Sequence, residues 1–377
     1  MSEWNQYRVG DICSAIYSGG TPSTSNEEYW DGDFYWLSSG ETANRYISKT
    51  DKTITQKGID NSSTKLAKSG TLVMACAGQG KTRGQASILK CDTYINQSII
   101  AMVGKCESLD TTFLFYNMLL RYDELRMRSD ASSTRGSITT DMLKKLPISV
   151  PDLPTQKRIA DILSAYDDLI ENNNCRIALL EKAAQELYKE WFVRFRFPGY
   201  ENAKLENGLP EGWIYDRLCS IMSFGAGKER PSSGVVYPVY GGNGILDYCD
   251  SYNNENAIII GRVGAYCGSV YYEPARCWIS DNALYAISKN NAIYFNYYML
   301  KHMNLNARQV GTGQPLITQG LLNKIKTIIP SNPLIMKYNS LVSDLLSQQH
   351  YLKRKNELLA KQRDLLLPRL MSGKLEV

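Results

Sequence analysis

The chain repeats itself, and this repeat limits the possible folds more than any other feature of the sequence. Residues 143–151 align with residues 322–330 at a shift of 179, and the same shift pairs Ile138 with Ile317 and Leu187 with Leu366. Upstream the shift changes, because residues 72–74 align with 258–260 at 186 and residues 12–14 align with 218–220 at 206. A variable block followed by a regular block therefore occurs twice, which predicts two related structural units.

The repeat also gives the bounds of the predicted domains. Residues 1–150 and 198–330 are the variable domains, and residues 151–197 and 331–377 are the regular segments. The variable domains contain short β-prone runs at 70–75, 98–103, 257–260 and 269–272, and one helix each, over 112–128 and 292–305. The predicted fold class is α+β, with two mixed α/β domains separated by two long antiparallel helices in a pseudo-two-fold repeat.

Both regular segments have the periodicity of long helices. Steps of three and four residues give two heptad seams: Ile159, Leu163, Tyr166, Ile170, Asn173, Ile177, Leu180, Ala184, Leu187 and Trp191, and then Tyr338, Val342, Leu345, Gln349, Leu352, Asn356, Leu359, Arg363, Leu366 and Leu370. Two asparagines interrupt the seams, either as polar residues that fix the register or as exposed positions. Pro-rich turns at 151–154 and 330–333 begin the helices, and residues 197–199 end the first.

Composition narrows the class of protein without deciding it. A length of 377 residues is enough for two cores, and no run of ~20 apolar residues predicts a membrane span. Nine cysteines without a C-x-x-C pair indicate reduced thiols, so a cytoplasmic location is expected. The net charge of +5 is too small to establish nucleic-acid binding by itself.

Motifs for catalysis are weak. Gly80-Lys81-Thr82 follows a β-prone run and resembles a phosphate-binding loop, but Ala75 replaces its first glycine and no strand ends in an aspartate for magnesium. A nucleotide hydrolase centred on Lys81 is therefore disfavoured. Only His302 and His350 are present, too far apart in sequence to suggest a metal site or a Ser-His-Asp arrangement. We predict no catalytic residue and no metal ligand.

Gly-rich loops in the variable domains carry hydrogen-bonding groups between aromatics and isolated cations. Arginine can bind guanine and asparagine or glutamine can bind adenine in the major groove, whereas lysine and serine suit phosphates. Each residue taken singly is explained at least as well as a turn or surface residue, but Arg83 and Arg262 are expected to contact a base or a phosphate. The candidate DNA-binding residues are Lys81, Arg83, Arg135, Ser137, Lys228, Tyr240, Asn243, Arg262, Tyr266 and Gln314.

These motifs, in this order, resemble the specificity subunits of type I restriction-modification systems over essentially the whole chain. Residues 19–23 (GGTPS), 29–33 (YWDGD) and 36–41 (WLSSGE) are similar to the opening of such a recognition domain. Residues 237–244 (YPVYGGNG) and 259–268 (IIGRVGAYCG) resemble another branch of the family, and residues 152–160 (DLPTQKRIA) resemble the entry to its central helix. The second copy departs from this pattern at residues 334–337 (LIMK), so equivalence of the two docking surfaces is in doubt.

The resemblance implies a non-catalytic subunit whose two target-recognition domains each read half of a split target in double-stranded DNA. It implies that the helices are a spacer on which two modification subunits dock, joined by restriction or motor subunits. S-adenosylmethionine, ATP and Mg²⁺ would then be bound by those partners, which methylate adenine and cleave DNA. The spacer and docking residues are Ile159, Leu163, Ile170, Ile177, Leu180, Leu187, Leu359 and Leu366.

Two alternatives remain at this point. The chain could belong to a modification-only or otherwise reduced system with the same fold. It could instead be a coiled-coil scaffold protein whose two globular domains bind protein or carbohydrate.

Overall fold

The computed structural model describes residues 4–78, 80–132, 136–308 and 315–377. It contains two compact units, the first made of Met1–Asn173 with Arg354–Val377 and the second of Asn174–Lys353. Both divisions fall inside the long helices, so each unit holds one variable domain together with a segment of each helix. The predicted bounds of the four sequence blocks are not tested by this division and stay a prediction.

The first unit is built on a five-stranded sheet in the order β2-β10-β7-β8-β4. A four-stranded sheet has the order β5-β3-β9-β6, and β1 pairs with β11. β7 and β10 are the buried central strands, because their sequences (LVMA and IIAMVG) are almost wholly apolar. The elements of this unit are β1 Asn5–Arg8, α1 Val9–Ile12, β2 Cys13–Ser18, β3 Trp30–Leu37, β4 Tyr46–Ile47, β5 Lys52–Ile54, α2 Gln56–Asp60, β6 Lys65–Ala67, β7 Leu72–Ala75, β8 Ala86–Leu89, β9 Thr93–Ile95, β10 Ile99–Gly104, α3 Thr111–Leu120, α4 Tyr122–Ser132, α5 Thr140–Lys145, β11 Pro147–Val150 and the start of α6 Leu153–Tyr188.

The second unit is built on a six-stranded sheet in the order β15-β20-β18-β19-β16-β17, with β12 paired to β13 and β14 paired to β21. Its central strand β18 is the counterpart of β7, and β20 and β15 are the counterparts of β10 and β2. The elements are β12 Leu205–Glu206, β13 Leu209–Pro210, β14 Ile214–Arg217, β15 Met222–Ala226, β16 Tyr237–Gly241, β17 Gly244–Cys249, β18 Asn254–Gly261, β19 Val270–Ile279, β20 Ala283–Ser288, α7 Ile293–His302, α8 Gln319–Lys324, β21 Lys326–Ile329 and α9 Asn332–Met371.

The duplication predicted from the sequence is confirmed by repeated local structure. Thr139 caps α5 by accepting from Met142 N, and Thr318 caps α8 by accepting from Leu321 N. Each short helix leads into a strand that pairs antiparallel with a strand near the start of its domain, β11 with β1 and β21 with β14. The α+β class is confirmed with it.

In the first unit, α6 and α9 pair in antiparallel fashion through polar groups within an apolar seam. Asn173 Nδ2 donates to Asn356 Oδ1 at 2.7 Å, and the buried Arg363 and Asp167 form an ion pair. Asn173 is 4% exposed, so the prediction that the two asparagines lie in the seam is supported over the exposed alternative. Ile159, Leu163 and Leu370 lie in the same core as the sheet.

In the second unit the two helices again pair in antiparallel fashion. Gln349 Nε2 donates to Glu181 Oε2 at 3.3 Å, and Tyr338 Oη donates to the carbonyl of Ala184 at 3.0 Å. Tyr338 and Val342 are fully buried in the core of this unit. The helical segments are therefore part of each hydrophobic core.

The predicted extents of the helix over 112–128 and of the first long helix are wrong. The helix expected over 112–128 breaks into α3 and α4 at Arg121, whose side chain turns to donate to the Pro147 carbonyl at 2.7 Å. The first long helix was expected to run to residues 197–199, but its α-helical part ends at Tyr188 and a π turn covers Lys189–Val193. This turn buries the adjacent Trp191 and Phe192 in one core.

The asparagine pair gives a first test. Replacing Asn356 by Ala should lower the free energy of unfolding by about 1 to 2 kcal/mol, because the buried amide of Asn173 loses its partner. Replacing the exposed neighbour Asn172 by Ala is the matched control, and should stabilise the helix by less than about 0.7 kcal/mol. Urea unfolding followed by circular dichroism measures both, and equal effects would contradict a paired seam.

Candidate nucleic-acid interface

Each unit has a closed loop after its central strand. The first loop comprises residues 76–84, of which Gln79 is outside the described residues, and the second loop comprises residues 262–268. Gly84 N donates to the carbonyl of Ala75, and Gly268 N donates to that of Gly261, both at 2.8 Å. These glycines have φ of +89° and +85°, values that residues other than glycine rarely adopt. The two loops are therefore closed in the same way.

A second shared contact holds each loop to a distant segment. Ile138 N donates to the carbonyl of Cys76 at 2.9 Å, and Ile317 N donates to that of Arg262 at 3.0 Å. These isoleucines are the pair that the repeat aligns at the shift of 179. Both loops are thus fixed at the base, and the side chains between are presented by a shared frame.

In the first loop, Lys81 is exposed while Arg83 is only 6% exposed. Arg83 Nη2 pairs with Asp130 Oδ1 at 2.6 Å, and Arg126 Nη1 donates to the Arg83 carbonyl at 3.1 Å. Tyr122 Oη donates to the Lys81 carbonyl at 2.7 Å. One face of α4 therefore holds this loop.

Sequence reasoning missed this role of α4. Tyr122, Arg126 and Asp130 are spaced by four residues, so they share one helix face, and that spacing was the available signal. DNA contact by Arg83 stays a prediction; in the structure its buried guanidinium is paired with Asp130. Arg83 thus stabilises the loop that presents Lys81.

Of the remaining candidates of the first domain, Ser137 lies at the base of the same loop. Ser137 Oγ donates to the carbonyl of Cys76 at 3.2 Å, so this hydroxyl also supports the base of the loop. Arg135 lies outside the described residues.

In the second domain the structure brings four candidates together around the second loop. Arg262 Nη1 donates to the Asp281 carbonyl at 3.4 Å, and Lys228 forms a β-bridge with the neighbouring Ser280. The turn that holds Asn243 is tied to the loop by Ser269 Oγ, which donates to the Gly242 carbonyl at 2.5 Å. The cluster consists of Lys228, Asn243 and Tyr266, which are exposed, and Arg262, which is half-buried. Gln314 lies outside the described residues.

Tyr240 does not join this exposed cluster. Its ring is 7% exposed, and its hydroxyl donates to Glu273 Oε2 at 2.8 Å. Burial and the neighbouring Glu273 carboxylate raise the pKa of Tyr240 well above its usual range. The structure places Tyr240 in β16, where its ring packs in a hydrophobic cluster of the sheet, and its role in DNA contact stays a prediction.

The spacer and docking candidates face inward. Ile159 and Leu163 are fully buried, and Ile170, Ile177, Leu180, Leu187, Leu359 and Leu366 are partly buried. Their burial suits a spacer seam, but a partner protein cannot dock on Ile159 or Leu163 as they stand. The preceding residues are the exposed ones: Leu169, Leu179, Leu358 and Leu365. Each adjacent pair therefore has one side chain inside and one outside.

Two findings concern the described residues alone. Among them, no group of three or more His, Cys, Asp or Glu side chains is placed to hold a metal ion. In the same part of the chain, no helix combines the length and apolar character needed to cross a membrane.

Comparison with known proteins defines the class to which this fold and these paired loops belong. The family model of the type I restriction modification DNA specificity domain matches residues 1–182 and 224–340. The match covers most of the chain, so the chain belongs to this family. It is a DNA target-recognition subunit of the non-catalytic kind, and the alternative of a coiled-coil scaffold finds no support.

Individual relatives agree over nearly full length. The chain is 28% identical to the type I restriction enzyme MjaIX specificity subunit of Methanocaldococcus jannaschii, covering 100% of this chain and 94% of that protein. It is 24% identical to the EcoprrI specificity subunit of Escherichia coli, covering 84% and 81%. A crystal structure of the type I restriction-modification S subunit from M. genitalium shares the fold, with a TM-score of 0.63 at 20% identity, covering 98% of this chain and 96% of that one.

Two residues of the first loop are expected to have different roles, Lys81 in contact with DNA and Arg83 in support of the loop. Replacing Lys81 by Ala should leave stability unchanged and reduce the slope of log affinity against log salt by about 0.9, if its ammonium meets one phosphate. Replacing Arg83 by Ala should lower the free energy of unfolding by about 1 to 3 kcal/mol, because its ion pair and packing are lost. Binding titrations at several salt concentrations and thermal unfolding measure the two effects. An unfolding loss for Lys81→Ala would contradict this division.

Proposed function

We propose that each unit reads one half of a split target in double-stranded DNA through the loop that follows its central strand. The observation that supports the proposal is the shared frame, in which the two loops are closed by the same two backbone hydrogen bonds. The side chains on the two frames differ, with Lys81 exposed on one and Tyr266 exposed on the other. Similar frames with different side chains suit two different half-sequences.

The second loop has the chemistry for reading bases. Besides its bond to the Asp281 carbonyl, the guanidinium of Arg262 has no further hydrogen bond or ion pair within the described residues. A guanidinium can donate two hydrogen bonds to guanine, and the exposed Asn243 amide can pair with adenine. Lys228 and Lys81 suit phosphates, which position the protein without reading sequence.

Docking of two modification subunits is the second part of the proposal. Leu358 in the first unit and Leu179 in the second are 55% and 65% exposed, and the repeat aligns them at the shift of 179. An exposed leucine at the equivalent place of each unit supports one docking site per unit. Leu365 and Leu169 are also exposed in the first unit.

The cofactors of the complex belong to the partners in this proposal. S-adenosylmethionine is bound by the modification subunits, which methylate adenine, and ATP with Mg²⁺ is bound by restriction or motor subunits that cleave DNA. This chain supplies target choice and the surface for assembly.

A domain exchange tests the split target. Replacing residues 1–150 by the corresponding segment of another family member should change one half-target and leave the other intact, because the loop that reads it lies within one unit. Replacing residues 198–330 is the reciprocal control and should change only the other half. Sequencing of duplexes selected by the complex gives the result, and a change in both halves after either exchange would contradict the proposal.

Stoichiometry tests the docking sites. With purified modification subunit, the wild-type chain should bind two copies, Leu358→Ser or Leu179→Ser should bind one, and the double variant should bind none, because each substitution removes an apolar contact. Gln362→Ser, at an exposed position of the same helix, is the matched control and should keep two. Native mass spectrometry counts the subunits. Two copies bound to the double variant would show that docking occurs elsewhere.

A further inference from the structure

One carboxylate in the first unit is shared by three elements. Asp167 lies on α6, and its side chain is 1% exposed. Arg363 Nη1 from α9 donates to Asp167 Oδ1, and Tyr116 Oη from α3 donates to Asp167 Oδ2 at 2.6 Å. Burial and the neighbouring Asp167 raise the pKa of Tyr116 far above its usual range, so its hydroxyl keeps the proton that it donates.

A carboxylate in the second unit does the same with different partners. Glu181, also on α6, accepts from Tyr298 Oη at 3.1 Å and from Lys301 Nζ at 2.5 Å, both on α7. Gln349 Nε2 from α9 donates to the same carboxylate at 3.3 Å. Burial by itself would raise the pKa of Glu181. The hydrogen bonds and the charge of Lys301 lower this pKa by more than burial raises it, so the net shift is downward and the carboxylate is held ionised.

The two anchors connect corresponding parts of the recognition domains to the helices. α3 and α7 follow equivalent strands, β10 and β20, and each supplies a buried tyrosine hydroxyl. An apolar contact alone would give affinity between a domain and its helices with little directionality. A carboxylate on α6 that accepts hydrogen bonds both from the recognition domain and from α9 restricts the distance and the angle between the domain and the helices together. Burial of such charges is costly, and a gain in geometric specificity is a known reason to keep them.

We infer that Asp167 and Glu181 are positioning residues that fix the angle of each recognition domain on its helical segments, and thereby determine which gap between half-targets the chain accepts. The inference rests on the proposed split target. Each base pair added to the gap moves the next half-target by about 3.4 Å along the duplex and turns it by about 35° around the axis. A domain held at one angle rejects that change, whereas a domain free to rotate tolerates it.

The test uses the whole chain assembled with its modification subunits and a duplex library with a randomised gap. Tyr116→Phe removes one hydroxyl and keeps the ring, so it releases the recognition domain from Asp167 with the least disturbance of the core. Asp167→Asn removes the charge, and Tyr298→Phe releases the other domain from Glu181. Ile100→Val, which truncates a buried side chain of β10 away from the anchor, controls for lost stability alone.

The expected result is a wider range of gaps with unchanged half-targets. The share of selected duplexes whose gap differs by one base pair from that of the wild type should rise about tenfold for Tyr116→Phe or Tyr298→Phe. Ile100→Val should keep the wild-type gap even where its melting temperature falls as far. A folded Tyr116→Phe chain with the wild-type gap distribution would overturn the inference. A wild-type chain that selects no two-part target would instead overturn the proposed function.

Discussion

The pairing of α6 with α9 is the constraint on which the rest of each unit depends. Ile159 and Leu163 from α6, with Leu367 and Leu370 from α9, complete the core of the first unit. Ala184 from α6, with Tyr338 and Val342 from α9, does so in the second. Segments separated by about half the chain must therefore meet before either domain has a full core, and the recognition domains are built on the helix pair. The loops that face DNA inherit their placement from this pairing.

The seam holds its register through polar residues more than through its leucines. Gln349, Asn356 and Arg363 follow one another at heptad spacing on α9, and each meets a polar partner on α6. A seam of leucine alone would pack nearly as well after a slip of one heptad. Such a slip would bury Arg363 without Asp167, and an unpaired buried charge costs several kcal/mol, about 3 to 5 where a pair is broken. The weaker apolar character of the second helix is therefore the source of its specificity.

Much of the architecture could be predicted from the sequence, because it depends on periodicity and on the repeat. The central strands, the long helices and the seam asparagines all follow from patterns along the chain. The failures have a different cause. Arg83 and Tyr240 stand in Gly-rich sequence like the exposed candidates, but Arg83 lies in a loop held by α4 and Tyr240 lies in β16. Their polar partners, Asp130 and Glu273, are 47 and 33 residues away along the chain. By contrast, the heptad spacing places Leu180 and not Leu179 in the seam, and the structure agrees, because Leu179 is exposed and Leu180 is partly buried.

The shifts within the repeat show where the part of constant length ends and the part of variable length begins. From Ile138 and Ile317 to the end of the helices the shift stays at 179, so the two copies share one length across the caps of α5 and α8, the strands that follow and the helix pair. Upstream of those isoleucines the shifts are 186 and 206, so insertions and deletions are confined to the recognition domains. The isoleucine amides are the groups that bind the loop carbonyls of Cys76 and Arg262. The length of a recognition domain can therefore vary upstream of the isoleucine that fixes the base of its loop. A domain with a different loop can be joined to the same pair of helices.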